Sequence, residues 1–177
     1  MDVMEAIKVR RSVRAYGPEE VPEEVMRRVF EAGRLAPSAF NYQPWHYIVV
    51  MDERMRDELS KAAKFGKFLR EAPVVLVACG DTKRSPGWNQ VDVTISLQQM
   101  VLMATAEGLG TCWIGKLDKE RVRELLDIPE SWDVVAMLTM GYPREKVDLV
   151  AKVARSGKRK EIGEIFSRER FGNELSL

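Results

Sequence analysis

The side chains best suited to chemistry lie in the first fifty residues of this 177-residue chain. Arg10, Arg11, Ser12 and Arg14 set guanidinium groups and a hydroxyl close enough in sequence to converge on one phosphate. Guanidinium forks match phosphate oxygens in paired, charge-assisted hydrogen bonds. A solvated basic turn has the same composition, so the cluster alone leaves both readings open. Residues 36–45 (APSAFNYQPW) add a second set of groups. Pro37 halts a helix, Ser38 and Asn41 offer short hydrogen-bonding side chains, and Gln43 precedes Pro44 and Trp45. Amides and hydroxyls presented on a stiff turn suit a flat heterocycle with carbonyl and imide edges. A turn satisfied by its own side-chain-to-backbone bonds is the competing explanation.

Other chemistries lack their residues. There is no Walker-type glycine loop, no GxGxxG after a strand and no GxSxG elbow. His46, the one imidazole, sits between Trp45 and Tyr47 at the mouth of an apolar segment and reads as structural. Asp92 reads as a cap or the partner of a backbone group rather than a general base. Cys79 and Cys112 stand in apolar settings with no CxxC spacing, so buried free thiols are expected and no metal site. No nucleophile, base and orienter come together in the sequence, so no side chain is assigned a catalytic role. An enzyme built this way needs a bound cofactor to carry its reaction.

At 45% hydrophobic content the chain can build one substantial core, and no linker interrupts it, so residues 1–177 are expected to form a single domain. Lys plus Arg number 28 against 27 for Asp plus Glu, which removes any global electrostatic case for nucleic acid or a membrane surface. The longest apolar run, residues 100–106, is too short to span a bilayer, and the acidic start lacks a signal-peptide core; a cytoplasmic protein is expected.

The elements that must carry these groups follow from period and punctuation. Val3, Met4 and Ile7 fall at helical spacing behind Asp2 as N-cap, so the basic cluster sits where that helix ends. Pro22 at a first helical position opens a second helix over residues 23–35. Residues 47–51 (YIVVM), 73–79 (PVVLVAC), 111–115 (TCWIG) and 134–140 (VVAMLTM) read as short apolar strands. Between them Asp52 caps a helix to about residue 64, residues 89–107 form one long helix, and Asp118 caps a helix over residues 119–126. The run 100–104 is apolar on nearly every side and must be enclosed, by its own domain or by a second subunit. Near the end, Ile162, Ile165 and Phe166 are the remaining apolar anchors. Strands separated by helices give an α+β or α/β class with one central sheet.

RRSVR, APSAFNYQPW, the long apolar helix, GLGTCWIG, a strand ending in GYP and a late basic segment form an ordered series that covers essentially the whole chain. The series resembles the nitroreductase family of FMN-dependent oxidoreductases in its compact form. The resemblance implies an α+β fold, a three-layer α/β/α sandwich with a mostly antiparallel sheet, in a domain-swapped-like homodimer. It implies FMN held by Arg10, Arg11, Ser12 and Arg14 at the phosphate and ribityl chain, with Pro37, Ser38, Asn41 and Gln43 lining the ring of a flavin shared with the partner subunit. Trp113, Ile114, Gly115 and Lys116 match the segment beside the flavin, and Arg159 matches a late phosphate-binding Arg. The family often has Gly at the position of Lys116 and Pro where this chain has Glu161. The activity implied is ping-pong reduction of nitroaromatics, quinones or similar electron-poor acceptors by NAD(P)H. The alternatives are a specialised relative that fragments its reduced flavin or removes halide, and a non-enzymatic FMN-binding electron carrier.

Overall fold

A computed structural model describes residues 1–64, 66–144 and 159–175. The chain divides into two compact units, Met1–Lys146 and Val147–Leu177.

The larger unit begins with α1 (Val3–Val9) and α2 (Glu23–Arg34), followed by β1 (Trp45–Val50), α3 (Glu53–Ala62) and β2 (Val74–Asp81). It continues through α4 (Asn89–Ala106), β3 (Gly110–Ile114), α5 (Lys119–Leu125) and β4 (Trp132–Gly141). The expected caps are present: Asp2, Asp52 and Asp118 each accept a backbone N–H of the first turn they precede, at 2.8, 2.8 and 3.0 Å. Pro22 occupies the N-cap of α2 rather than its first helical position. Two short 3-10 turns, Ala39–Asn41 and Lys67–Arg70, lie in stretches where no regular element is expected from the sequence.

The four strands pair in the order β1-β2-β4-β3, every pair antiparallel. Alternation along β2 and β4 separates two cores. Val74, Leu76, Ala78, Leu138 and Met140 face α2 and α4, while Val75, Val77, Cys79 and Met137 face α3 and α5. A slip in register opposite Ala78 and Cys79 leaves Val135 and Ala136 on the same face, a bulge that bends β4. The layers are those of a three-layer α/β/α sandwich.

The chain itself encloses much of the apolar part of α4. Val93, Leu97, Met100, Val101 and Ala104 are buried against the sheet and α2. Close approach depends on Gly33, where an added Cβ would lie 2.0 Å from the Met100 Cε. The apolar side left open is elsewhere: Trp88 at the N-cap of α4 and Val91 and Ile95 on α4, with Val3, Met4 and Ile7 on neighbouring α1, are exposed.

In the smaller unit α6 (Ile162–Ile165) is a single turn closed by a capping box between Glu161 and Glu164. Ile162, Ile165 and Phe166 are exposed in the single chain. Lys158, in the late basic segment, lies outside the described residues. No helix among the described residues is long and apolar enough to cross a membrane.

Candidate functional site

The basic segment after α1 runs along the free edge of β3. Ser12 bridges Thr111 in parallel, and the Val13 N–H donates to the Thr111 carbonyl at 2.8 Å. Gly110 makes this approach possible: a Cβ there would sit 2.5 Å from the Val13 Cγ2. From below, the buried Tyr16 hydroxyl donates to the Val13 carbonyl at 2.7 Å and shares a 2.6 Å hydrogen bond with the Thr139 hydroxyl. Burial holds the Tyr16 phenol far above its ordinary range, so it stays a neutral donor. Tyr16 and Thr139 thus position the segment; nothing in their sequence context marks them for it, since they lie 123 residues apart.

This stitching lays the segment carrying Arg10, Arg11, Ser12 and Arg14 on the strand that runs on into Trp113, Ile114, Gly115 and Lys116. Arg11 Nη1 donates to the carbonyls of Lys8 and Arg10 at 2.6 and 2.8 Å, which seats its guanidinium at the C-terminal end of α1. Ile114 is buried and Trp113 packs on the α2–α4 core, whereas Gly115 and Lys116 are exposed. A Cβ on Gly115 would meet nothing within 4 Å, so the backbone there borders open space that a flat ring could share. The Lys116 carbonyl accepts the Lys64 N–H at 3.1 Å, fixing this end of β3 against α3. Cations at one end and bare backbone at the other fit an elongated ligand with a phosphate and a planar head, as FMN has.

The second motif is built around a buried acid. Asp92 in the first turn of α4 is completely buried, accepting the Ala39 N–H at 3.0 Å and the Ser85 hydroxyl at 2.9 Å. The expectation that it partners a backbone group is met. The Ser38 hydroxyl accepts the Gln43 N–H at 2.9 Å, and the Gln43 side-chain amide donates to Asn41 Oδ1 at 3.1 Å. Asp81 donates its N–H to the Pro44 carbonyl at 2.8 Å, tying the turn to the end of β2. Within this bracing, Phe40, Asn41 and Gln43 adopt left-handed φ of 48°, 56° and 48°. Such angles are costly for non-glycine residues and collect at functional sites. His46 is exposed and lies edge-on to Trp132, with ring centroids 5.6 Å apart.

One chain does not bring the two motifs together. Ser12 stands by Thr111, which faces Met140 and through it Val74, whereas Trp45 faces Gly80 at the far end of β2. With ~3.3 Å per residue and ~4.8 Å per strand, they occupy diagonal corners roughly 25–30 Å apart. Arg159 belongs to the smaller unit, where it is exposed. Both thiols are buried, as expected: burial pushes Cys79 up to about 11. No cluster that could hold a metal ion occurs among the described residues.

Known proteins are similar to this chain in sequence and in fold. The sequence pattern of the nitroreductase family matches residues 7–66 and 61–142. A Methanothermobacter thermautotrophicus protein, provisionally named NADH dehydrogenase/NAD(P)H nitroreductase, is 37% identical over 151 residues, spanning 82% of this chain and 79% of its own. A 5,6-dimethylbenzimidazole synthase of Rhodospirillum rubrum is 31% identical over 168 residues, 77% of this chain and 80% of its own. Among solved structures, an FMN-dependent nitroreductase from Clostridium difficile superposes with a TM-score of 0.76 at 30% identity, covering 81% of this chain and 88% of that one. The family match over most of the chain, with the 37% identical relative, shows that the chain is a member of the nitroreductase family.

Proposed function

We propose that this protein is an FMN-dependent oxidoreductase in which NAD(P)H reduces the enzyme, departs, and is followed at the same site by an electron-poor acceptor such as a quinone or nitroaromatic. The observation that carries the reading is the bridge from Ser12 to Thr111, which lays the basic segment on the strand that leads to the open backbone at Gly115. FMN, when bound, supplies a two-electron relay that no side chain of this protein offers. For a quinone the sum is NAD(P)H, a proton and quinone giving NAD(P)⁺ and hydroquinone.

The protein's part is to bind, orient and stabilise charge. Arg10, Arg11, Ser12 and Arg14 are assigned to the phosphate and ribityl chain, with Arg159 as a further phosphate partner. Trp113, Ile114, Gly115 and Lys116 lie along the ring, and donors there favour the negative charge that reduction brings. Pro37, Ser38, Asn41 and Gln43 serve the ring bound to a second copy. The span between the two corners exceeds the ribityl-phosphate chain that separates phosphate from ring, which supports a site completed across a homodimer. The exposed apolar residues Trp88, Val91 and Ile95 of α4, beside Val3, Met4 and Ile7 of α1, supply a surface for that contact.

Purified protein should be yellow, elute as a dimer, and oxidise NADH or NADPH with menadione or a nitroarene. A colourless monomer that refuses added FMN overturns the reading. Retention of the flavin spectrum over many turnovers separates this activity from the flavin-consuming chemistry of a fragmenting enzyme, and turnover itself separates it from an electron carrier.

A further inference from the structure

We infer that Lys83 and Arg84 form a subsite for a phosphate monoester, the 2′-phosphate of NADPH, and make NADPH the preferred reductant over NADH. The inference rests on the reading above, in which the turn over residues 37–43 serves a flavin bound to a second copy. Lys83 and Arg84 follow β2 directly, and both are exposed. Among the described residues no carboxylate forms an ion pair with either side chain. Acids on the adjoining elements are engaged elsewhere. Asp92 is buried and holds Ala39 and Ser85, while Asp133 takes the Gln90 amide and, at 3.6 Å, the Lys119 ammonium.

The loop that carries the two cations is rigid, because every backbone N–H from Asp81 to Ser85 is bonded. Those of Lys83 and Arg84 both donate to Asp81 Oδ1, at 2.9 and 3.0 Å. Thr82 donates its N–H and its hydroxyl to the Ser131 carbonyl at 3.1 and 2.9 Å, and the Ser85 N–H reaches the Asp81 carbonyl at 3.2 Å. Binding there requires no ordering of the backbone. A guanidinium fork beside an ammonium is a donor set that suits a phosphate dianion. Position selects the phosphate. The Asp81 N–H is bonded to the Pro44 carbonyl, and Arg84 lies three residues further on, so its Cα stands within about 12 Å of the ring-facing turn. The FMN phosphate is assigned to the Arg10 cluster at the diagonal corner of the sheet, which leaves Lys83 and Arg84 uncommitted. NADPH brings its nicotinamide to the flavin and carries its 2′-phosphate toward the other end of the molecule. Cations set back from the turn meet that end, where NADH has only a hydroxyl.

The FMN-loaded dimer is titrated with adenosine 2′,5′-bisphosphate and with 5′-AMP, which differ only in the 2′-phosphate, and is assayed with NADPH and NADH. Wild type should bind the bisphosphate about tenfold more tightly, the scale of one charge-assisted contact. The ratio of NADPH to NADH kcat/KM should favour NADPH by a similar factor. Both ratios should fall to near one in Lys83→Ser/Arg84→Ser and persist in Lys83→Arg/Arg84→Lys, which keeps the charges. Equal use of NADH and NADPH by wild type overturns the inference, as does a preference that survives the double Ser variant. Wild-type protein that fails to take up FMN would instead remove the functional reading, and the inference with it, before any variant is compared.

Discussion

The buried Asp92 carboxylate accepts the backbone N–H of Ala39 at 3.0 Å, so the first turn of α4 directly holds the turn that carries Ser38, Asn41 and Gln43. Its second oxygen takes the Ser85 hydroxyl at 2.9 Å, which joins the loop before α4 to the same anchor. A helix of the main core and an irregular turn of the proposed ring-binding motif are thereby one mechanical unit.

Removing that anchor should cost stability and flavin together. Asp92→Ala leaves a partly buried N–H and a buried hydroxyl without their acceptor, a loss of about 1–3 kcal/mol. Asp92→Asn keeps one carbonyl oxygen for Ala39 and should cost less. Denaturant unfolding of both variants, with flavin content measured alongside, checks the order; Asp92→Ala as stable as wild type would contradict it.

Arg11→Ala should strip FMN during purification. A charge-assisted bond to phosphate contributes about 1.5–3 kcal/mol, so the FMN dissociation constant should rise roughly tenfold to a hundredfold. The same change frees the carbonyls of Lys8 and Arg10 that the guanidinium now engages, and the end of α1 should fray. Flavin occupancy equal to wild type would remove Arg11 from the phosphate site.

Gly110→Ala tests the stitching of the basic segment. The new Cβ would fall 2.5 Å from the Val13 Cγ2, and overpacking of this kind costs about 1–3 kcal/mol. The chain can yield only by lifting residues 11–13 from β3, so FMN retention should fall along with the melting temperature. A variant that loses stability yet holds FMN as wild type would show that the segment binds without the strand edge.

Alkaline pH should destabilise the fold through Cys79 and Tyr47. Burial pushes the Cys79 thiol from its ordinary value of 9.0 to about 11 and the Tyr47 phenol from 10.0 to about 12. Both groups ionise more readily unfolded, so their contribution is intact below the unfolded values and is lost as pH rises through the folded ones. Melting temperature should decline from about pH 9 upward, less steeply in Cys79→Val, and iodoacetamide at pH 8 should react slowly until the protein unfolds. Rapid labelling of native Cys79 would refute the burial.

Much of this was legible in the amino-acid order. Asp2, Asp52 and Asp118 announce three helices because a short acid before an apolar period satisfies N–H groups that the helix cannot. The apolar run of β2 reads as a strand covered on both sides, and it pairs with β1 and β4 between two helical layers. The basic cluster and the APSAFNYQPW turn stand out by composition, as local signals do. Phe40 did not stand out, because an aromatic inside such a turn reads as packing until its φ and exposure are known. Ile162, Ile165 and Phe166 are apolar by type yet exposed in the single chain, since burial depends on what packs over a residue and not on its type.

The order of residues by itself determined which segments become helices and strands and where cations and amides collect, since capping, periodicity and charge act over a few neighbouring residues. Only the tertiary structure decided that Ser12 lies against Thr111, that Asp92 reaches Ala39, and that the basic segment and the APSAFNYQPW turn end at opposite corners of the sheet. Those relations arise from strand order and close packing between residues far apart in the chain, and no local preference encodes them.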